Sequence, residues 1–166
     1  MIVIVDYGMG NLGSIVNMLK KVGAKAMLSR EPKDILCADK LILPGVGAFD
    51  TAIRNLKHRG YIEILNEQVI GQKIPILGIC LGMQLLTLRS EEGIESGLGW
   101  LDAQTIRFRN SEDEPSLRIP HMGWNMINVR RDSQFFPKDN HDNLICQFLI
   151  SALHVAHYQF MKQKKV

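Results

Sequence analysis

The stretch "IPILGICLGMQLL", residues 74–86, decides how this chain folds. Its first half is a short apolar run. Its second half sets a cysteine between two glycines and continues into further apolar residues. A brief apolar run bounded by glycine is the pattern of a strand buried on both faces, as in a parallel sheet. We therefore read "IPILGI" (74–79) as a strand, then a sharp turn, then "CLGMQLLTLRS" (80–90) as a helix. A turn that tight leaves room for little beyond hydrogen beside it, so glycine belongs at 78 and 82. It lifts Cys80 clear of the sheet edge, in the manner of a nucleophile elbow. The competing reading is an inert thiol buried where space is short.

Working outward, the same alternation repeats. "IVIVD" (2–6) is an apolar, β-branched run ending at glycines. Leu12, Ile15, Val16 and Leu19 then recur at helical spacing, and Gly23 is a plausible stop. "AKAML" (24–28) and "KLILPGVG" (40–47) read as the second and third strands, the latter running into a Pro-Gly turn. Residues 48–57 and 62–70 read as helices. Strand alternating with helix predicts an α/β fold: three layers, a mostly parallel sheet with helices on both faces. Such sheets bind ligands at the carboxyl ends of their strands. Here those ends carry "DYGMGN", "PGVGAF" and "GICLG".

After residue 90 the texture changes. "EEGIESGLGW" reads as a loop, "AQTIRF" (103–108) and "WNMINV" (124–129) as strands, and "NSEDEPS" as a polar turn. The last third, "NLICQFLISALHVAHYQFMKQKKV", has apolar residues at no clean period. No repeat or linker divides the chain, so residues 1–166 are expected to form one domain.

Composition limits the function classes. The net charge of +3 on 166 residues is too small to argue for nucleic acid, and part of it sits in the terminal "KQKK". No apolar run approaches the roughly 20 residues that span a membrane. "MIVIVDYG" has neither a basic leader region nor a cleavage site, so no signal peptide is expected. Three widely spaced cysteines, Cys37, Cys80 and Cys146, argue against a disulfide framework and fit a reducing cytoplasm.

The elbow has a chemistry of its own. A cysteine at a helix start sits among free N–H groups that favour a thiolate, and the thiolate is the nucleophile. The N–H of Leu81 points to where an oxyanion would form. Gln84, one helical turn on, shares the face of Cys80 and is placed to contact a substrate held at the sulfur.

"GICLGMQLL" resembles the nucleophile motif of the class I, triad-type, glutamine amidotransferases. "DYGMGNLGSI" (6–15), "PGVGAFDTAI" (44–53), "GLGW" (97–100) and "PHMGWN" (120–125) narrow the resemblance to the glutaminase subunits of imidazole glycerol phosphate synthases, over about residues 1–130. The resemblance implies that Cys80 attacks the side-chain amide of glutamine, forming a thioester and releasing ammonia. It implies that Val46 and Gly47 join Leu81 as backbone donors of the oxyanion hole, and that Gly45 and Gln84 border the bound glutamine. It further implies a partner, a (β/α)₈-barrel cyclase that receives the ammonia and makes imidazole glycerol phosphate and AICAR in histidine biosynthesis. Met9, Asn11, Met122 and Trp124 lie in the segments that would face that partner; a core-filling Trp124 is the plainer reading. The resemblance extends to relatives that serve surface-polysaccharide amidotransferases instead. No cofactor and no metal are implied.

The chain also departs from that family. Its base and orienting carboxylate lie in a late His-Pro-Glu motif, which is absent here. The five histidines are His58, His121, His141, His154 and His157, and none is followed by proline. Residues 145–166 read as a divergent tail, either a frameshifted or shortened product or a genuine short variant. The expectations are loss of the base, impaired turnover and an exposed sheet edge; a non-catalytic docking subunit fits the same facts. His154 or His157 could in principle stand in as base, but a pair at this spacing is more often one face of a short helix. A separate reading rests on "GMGNLG" (8–13), literally the dinucleotide fingerprint G-x-G-x-x-G, with Glu31 near the acidic position it requires. That would make the chain a nucleotide-binding module.

Overall fold

The computed structural model describes residues 1–107, 121–127, 144–150 and 153–154. They fall into two compact units, residues 1–107 and the strands within 108–154.

In the first unit, β1 (Ile2–Val5), β2 (Ala26–Ser29), β3 (Lys40–Leu43) and β4 (Ile76–Gly78) form one sheet in the order β2-β1-β3-β4. Every pairing in it is parallel, with Ile4 opposite both Leu28 and Ile42, and Ile42 opposite Leu77. Parallel neighbours need a crossover, and helices supply them: α1 (Leu12–Lys21), α2 (Pro32–Leu36), α3 (Phe49–His58) and α4 (Tyr61–Asn66), the last running into a π-turn at Glu67–Gly71. The chain leaves β1 toward β2 and then returns past β1 to β3. Right-handed crossovers in opposite directions put helices on opposite faces and open a crevice between the carboxyl ends of β1 and β3.

The core lies on the face carrying Val3, Val5, Leu41 and Leu43, against Phe49, Ala52, Ile53 and Leu56 of α3 and Leu81 and Leu85 beyond β4. The half-buried stripe of α1 is the expected one, Leu12, Ile15, Val16 and Leu19, and α1 lies against β2. Leu28 on β2 and Leu77 on β4, the two edges of this sheet, remain 41% and 50% exposed.

Two elements differ from the sequence expectation. Helix α5 covers only Leu81–Leu85 rather than 80–90. Its last carbonyls are claimed from outside: Leu98 N–H donates to Leu85 at 2.8 Å and Leu101 N–H to Leu86 at 2.9 Å. Thr87 Oγ1 bonds back to the Gln84 carbonyl at 2.7 Å, and the chain turns into β5 (Arg89–Ser90), parallel to β6 (Gln104–Arg107). The short helix α2 has no counterpart in the pattern read above; Pro32 at its first turn supplies a pre-set φ.

In the second unit, β7 (His121–Ile127) pairs antiparallel with β8 (Leu144–Ile150), so that Met122 faces Leu149 and Trp124 faces Gln147 in register. β9 is the two-residue strand Leu153–His154. Among the described residues, no helix is long and apolar enough to cross a membrane.

Candidate active site

Three strand ends meet in the first unit. The Ile79 N–H, at the end of β4, donates to the Leu43 carbonyl at the end of β3, at 3.0 Å. This brings the "PGVG" turn (44–47) against the elbow (78–82).

The elbow is as tight as the sequence requires. Cys80 has φ 54° and ψ −119°, a region that costs a residue with a side chain about 1–3 kcal/mol. A Cβ on Gly78 would stand 2.6 Å from the Met83 Cα, and one on Gly82 would strike the Leu43 carbonyl oxygen. Glycine at both positions is thus a steric requirement set by the neighbouring strand and helix. The strain is held by backbone bonds from Gly82 N–H to the Ile79 carbonyl (3.0 Å) and from Met83 N–H to the Cys80 carbonyl (2.9 Å). The outcome is a thiol exposed at the sheet's carboxyl end, not a buried one.

The Leu81 N–H is left out of that bonding, as are the N–H groups of Val46 and Gly47, among the described residues. Leu81 itself is anchored, 2% exposed, whereas Val46 is 61% exposed at the tip of its turn. Gly45 is wedged between the two walls: a Cβ there would lie 2.8 Å from the Tyr7 hydroxyl and 2.9 Å from the Gly82 nitrogen. Gln84 is buried, and its Oε1 has no hydrogen-bond partner among the described residues. An orphaned buried acceptor is costly unless something donates to it.

The loop after β1 packs on the same turn. Asp6 is buried and its carboxylate accepts from Gly8 N–H at 3.0 Å and from Arg30 Nε at 2.8 Å. Met9 is half-buried, its Cε 2.9 Å from where a Cβ on Gly47 would stand. Asn11 caps α1, its side chain accepting from Ser14 N–H at 3.3 Å. Tyr7, between them, is fully buried and donates its hydroxyl to the Pro44 carbonyl at 2.6 Å. Burial, and after it the nearby Cys80 charge, push the Tyr7 phenol well above its ordinary range. Sequence reasoning did not single out Tyr7; the available signal was an aromatic residue with a polar tip at the carboxyl end of a core strand.

The remaining sequence candidates lie elsewhere. Met122 and Trp124 are on β7 in the second unit, and His121 opens that strand. His58 is exposed at the end of α3, and His154 is on β9. His141 and His157 lie outside the described residues. Glu31 caps α2 and its N–H donates to Ser29 Oγ at 2.9 Å. A Cβ on Gly13 would meet nothing within 4 Å, so the close helix–strand packing that the third glycine of a dinucleotide fingerprint serves is not present there.

A parallel sheet whose carboxyl end presents a strained cysteine beside free backbone N–H groups defines a class, and the chain belongs to it: the class-I glutamine amidotransferase family, whose profile matches residues 3–154. Over 165 residues the chain is 47% identical to imidazole glycerol phosphate synthase subunit HisH 2 of Methanococcus maripaludis, covering 99% of this chain and 77% of that protein. It is 45% identical over 163 residues to the subunit of the same name in Pseudomonas aeruginosa, covering 87% of this chain and 79% of that one. A solved structure described as a crystal structure of glutamine amidotransferase superposes with a TM-score of 0.62 at 18% identity, over 89% of this chain and 70% of that one, which shows a shared fold.

Proposed function

We propose that this chain is the glutaminase subunit of an imidazole glycerol phosphate synthase, with Cys80 as its nucleophile. The carrying observation is Cys80 itself, exposed at positive φ on an elbow whose glycines admit no Cβ. In the first step Sγ attacks the side-chain carbonyl carbon of glutamine. The oxyanion so formed is received by the N–H groups of Leu81, Val46 and Gly47. The C–N bond then breaks, the nitrogen takes up a proton and leaves as ammonia, and a glutamyl thioester remains on Cys80. Water attacks the thioester to free glutamate and restore the thiol. The unpartnered Oε1 of Gln84 fits a donor on the bound glutamine.

The names of the two HisH relatives support a partner subunit, and we carry Met9 and Asn11 of the first unit, and separately Met122 and Trp124 of the second, as candidate docking residues. A (β/α)₈-barrel cyclase is the partner this reading requires, since ammonia must reach a second site without escaping to solvent.

The test of this reading is covalent. A chloroketone analogue of glutamine should label Cys80 ahead of Cys37, although both thiols are exposed, and ahead of Cys146. Equal labelling of the three, read by peptide mass spectrometry, would remove the elbow's special role.

A further inference from the structure

We propose that Tyr7 is a positioning residue that sets the spacing between the two walls of the oxyanion hole. The proposal rests on reading Cys80 as the nucleophile and the 44–47 turn as one of those walls.

Tyr7 lies two residues beyond β1 and stands in the same core cluster as Leu43, Leu81 and Leu85, with no exposed surface. Its hydroxyl donates to the Pro44 carbonyl at 2.6 Å, across 37 residues of sequence. That carbonyl belongs to the peptide leading into Gly45, so the bond holds the base of the turn. The same hydroxyl lies against Gly45, whose absent Cβ would stand 2.8 Å from it and 2.9 Å from both the Gly82 nitrogen and the Leu81 Cβ. One oxygen therefore bonds the first wall at Pro44 and packs beside Gly45, at the point where that wall meets Leu81 and Gly82 of the second. The tip of the turn, Val46 and Gly47, is exposed and lacks such an anchor. The turn is thus fixed at its base and free at its tip, which lets the Val46 and Gly47 N–H groups settle on an oxyanion without the wall moving away. Misplacing reaction-competent groups by about 1 Å costs on the order of 10²-fold in rate.

The test separates reactions at Cys80 by their need for the oxyanion hole. A chloroketone analogue of glutamine reacts through a tetrahedral adduct bearing an oxyanion, whereas iodoacetamide alkylates the thiol by direct displacement. In Tyr7→Phe the chloroketone rate should fall about tenfold or more, a fraction of the loss seen when an oxyanion donor is removed outright. The iodoacetamide rate at Cys80 should stay within about twofold, since its displacement needs no oxyanion donor. To keep the ring and its volume, 4-fluorophenylalanine and 4-aminophenylalanine are placed at position 7 of the whole chain. The amino group can donate to Pro44 and should restore the chloroketone rate; the fluorine cannot and should leave it low. Equal chloroketone rates in the unaltered, Tyr7→Phe and fluorinated proteins would overturn the proposal. So would a parallel fall in both reactions, which would mark a general structural loss. Failure of the chloroketone to select Cys80 in the unaltered chain would instead remove the nucleophile assignment on which the proposal stands.

Discussion

The Leu43 carbonyl occupies the space that a side chain on Gly82 would need. The end of β3 and the start of α5 are thereby packed backbone to backbone, and the elbow cannot relax by moving away. Gly82→Ala should lower stability by about 3 kcal/mol or more, since neither backbone can yield as a flexible side chain would. Gly13→Ala, in α1 with open space around it, should be neutral or stabilising by up to about 1 kcal/mol. Urea titrations of the two variants provide the comparison, and a similar loss in both would refute the steric account.

Asp50, in the first turn of α3, holds the loop after β5. Its carboxylate accepts from Ile94 N–H at 3.0 Å and from Glu95 N–H at 3.0 Å. The Glu95 N–H bond leads, with further help from Ile94 N–H, Arg54 and Lys57, in holding the Asp50 carboxyl below its ordinary value. A depressed carboxyl contributes stability that is present above its unfolded pKa and is lost as pH falls through the lower folded value. Amide protection of Ile94 and Glu95 should therefore decline below about pH 4, the ordinary aspartate range, after correction for intrinsic exchange. Protection that is flat across this range would show the bonds to be absent in solution.

Docking should depend on Trp124. Aromatic residues dominate binding energy where they are buried at the centre of an interface. Trp124→Ala should weaken association with a barrel cyclase at least about tenfold, equivalent to about 1.4 kcal/mol. Calorimetry showing unchanged affinity would move the docking surface off β7.

A polypeptide of these 166 residues alone should turn glutamine over slowly. General acid–base assistance contributes about 10²–10⁴-fold, and none of the five histidines lies in a His-Pro-Glu motif. Proton delivery to the departing ammonia and activation of water would both suffer, while thioester formation at Cys80 would be less affected, because thiolates depend least on a base. The 166-residue chain should thus release glutamate at least about 10²-fold more slowly than a relative that carries the motif, even with a cyclase present. Ordinary turnover would contradict this, and His154→Ala and His157→Ala would then be the variants to assay.

Strands β1 to β4, the apolar stripe of α1 and the elbow at Cys80 are legible in the residues alone. Those features are local. A buried parallel strand announces itself by an unbroken apolar run, and a turn without room announces itself by glycine. Tertiary structure decided the rest. Helix α5 stops after Leu85 because Leu98 and Leu101, brought back by the loop before β6, claim the Leu85 and Leu86 carbonyls. β8 has no clean apolar period, and its pairing with β7 is defined by the partner strand. Tyr7 meets Pro44, and Asp50 meets Ile94 and Glu95, across 37, 44 and 45 residues of chain. Periodicity carries no record of such pairs, because they exist only once the β2-β1-β3-β4 order has set strand ends side by side.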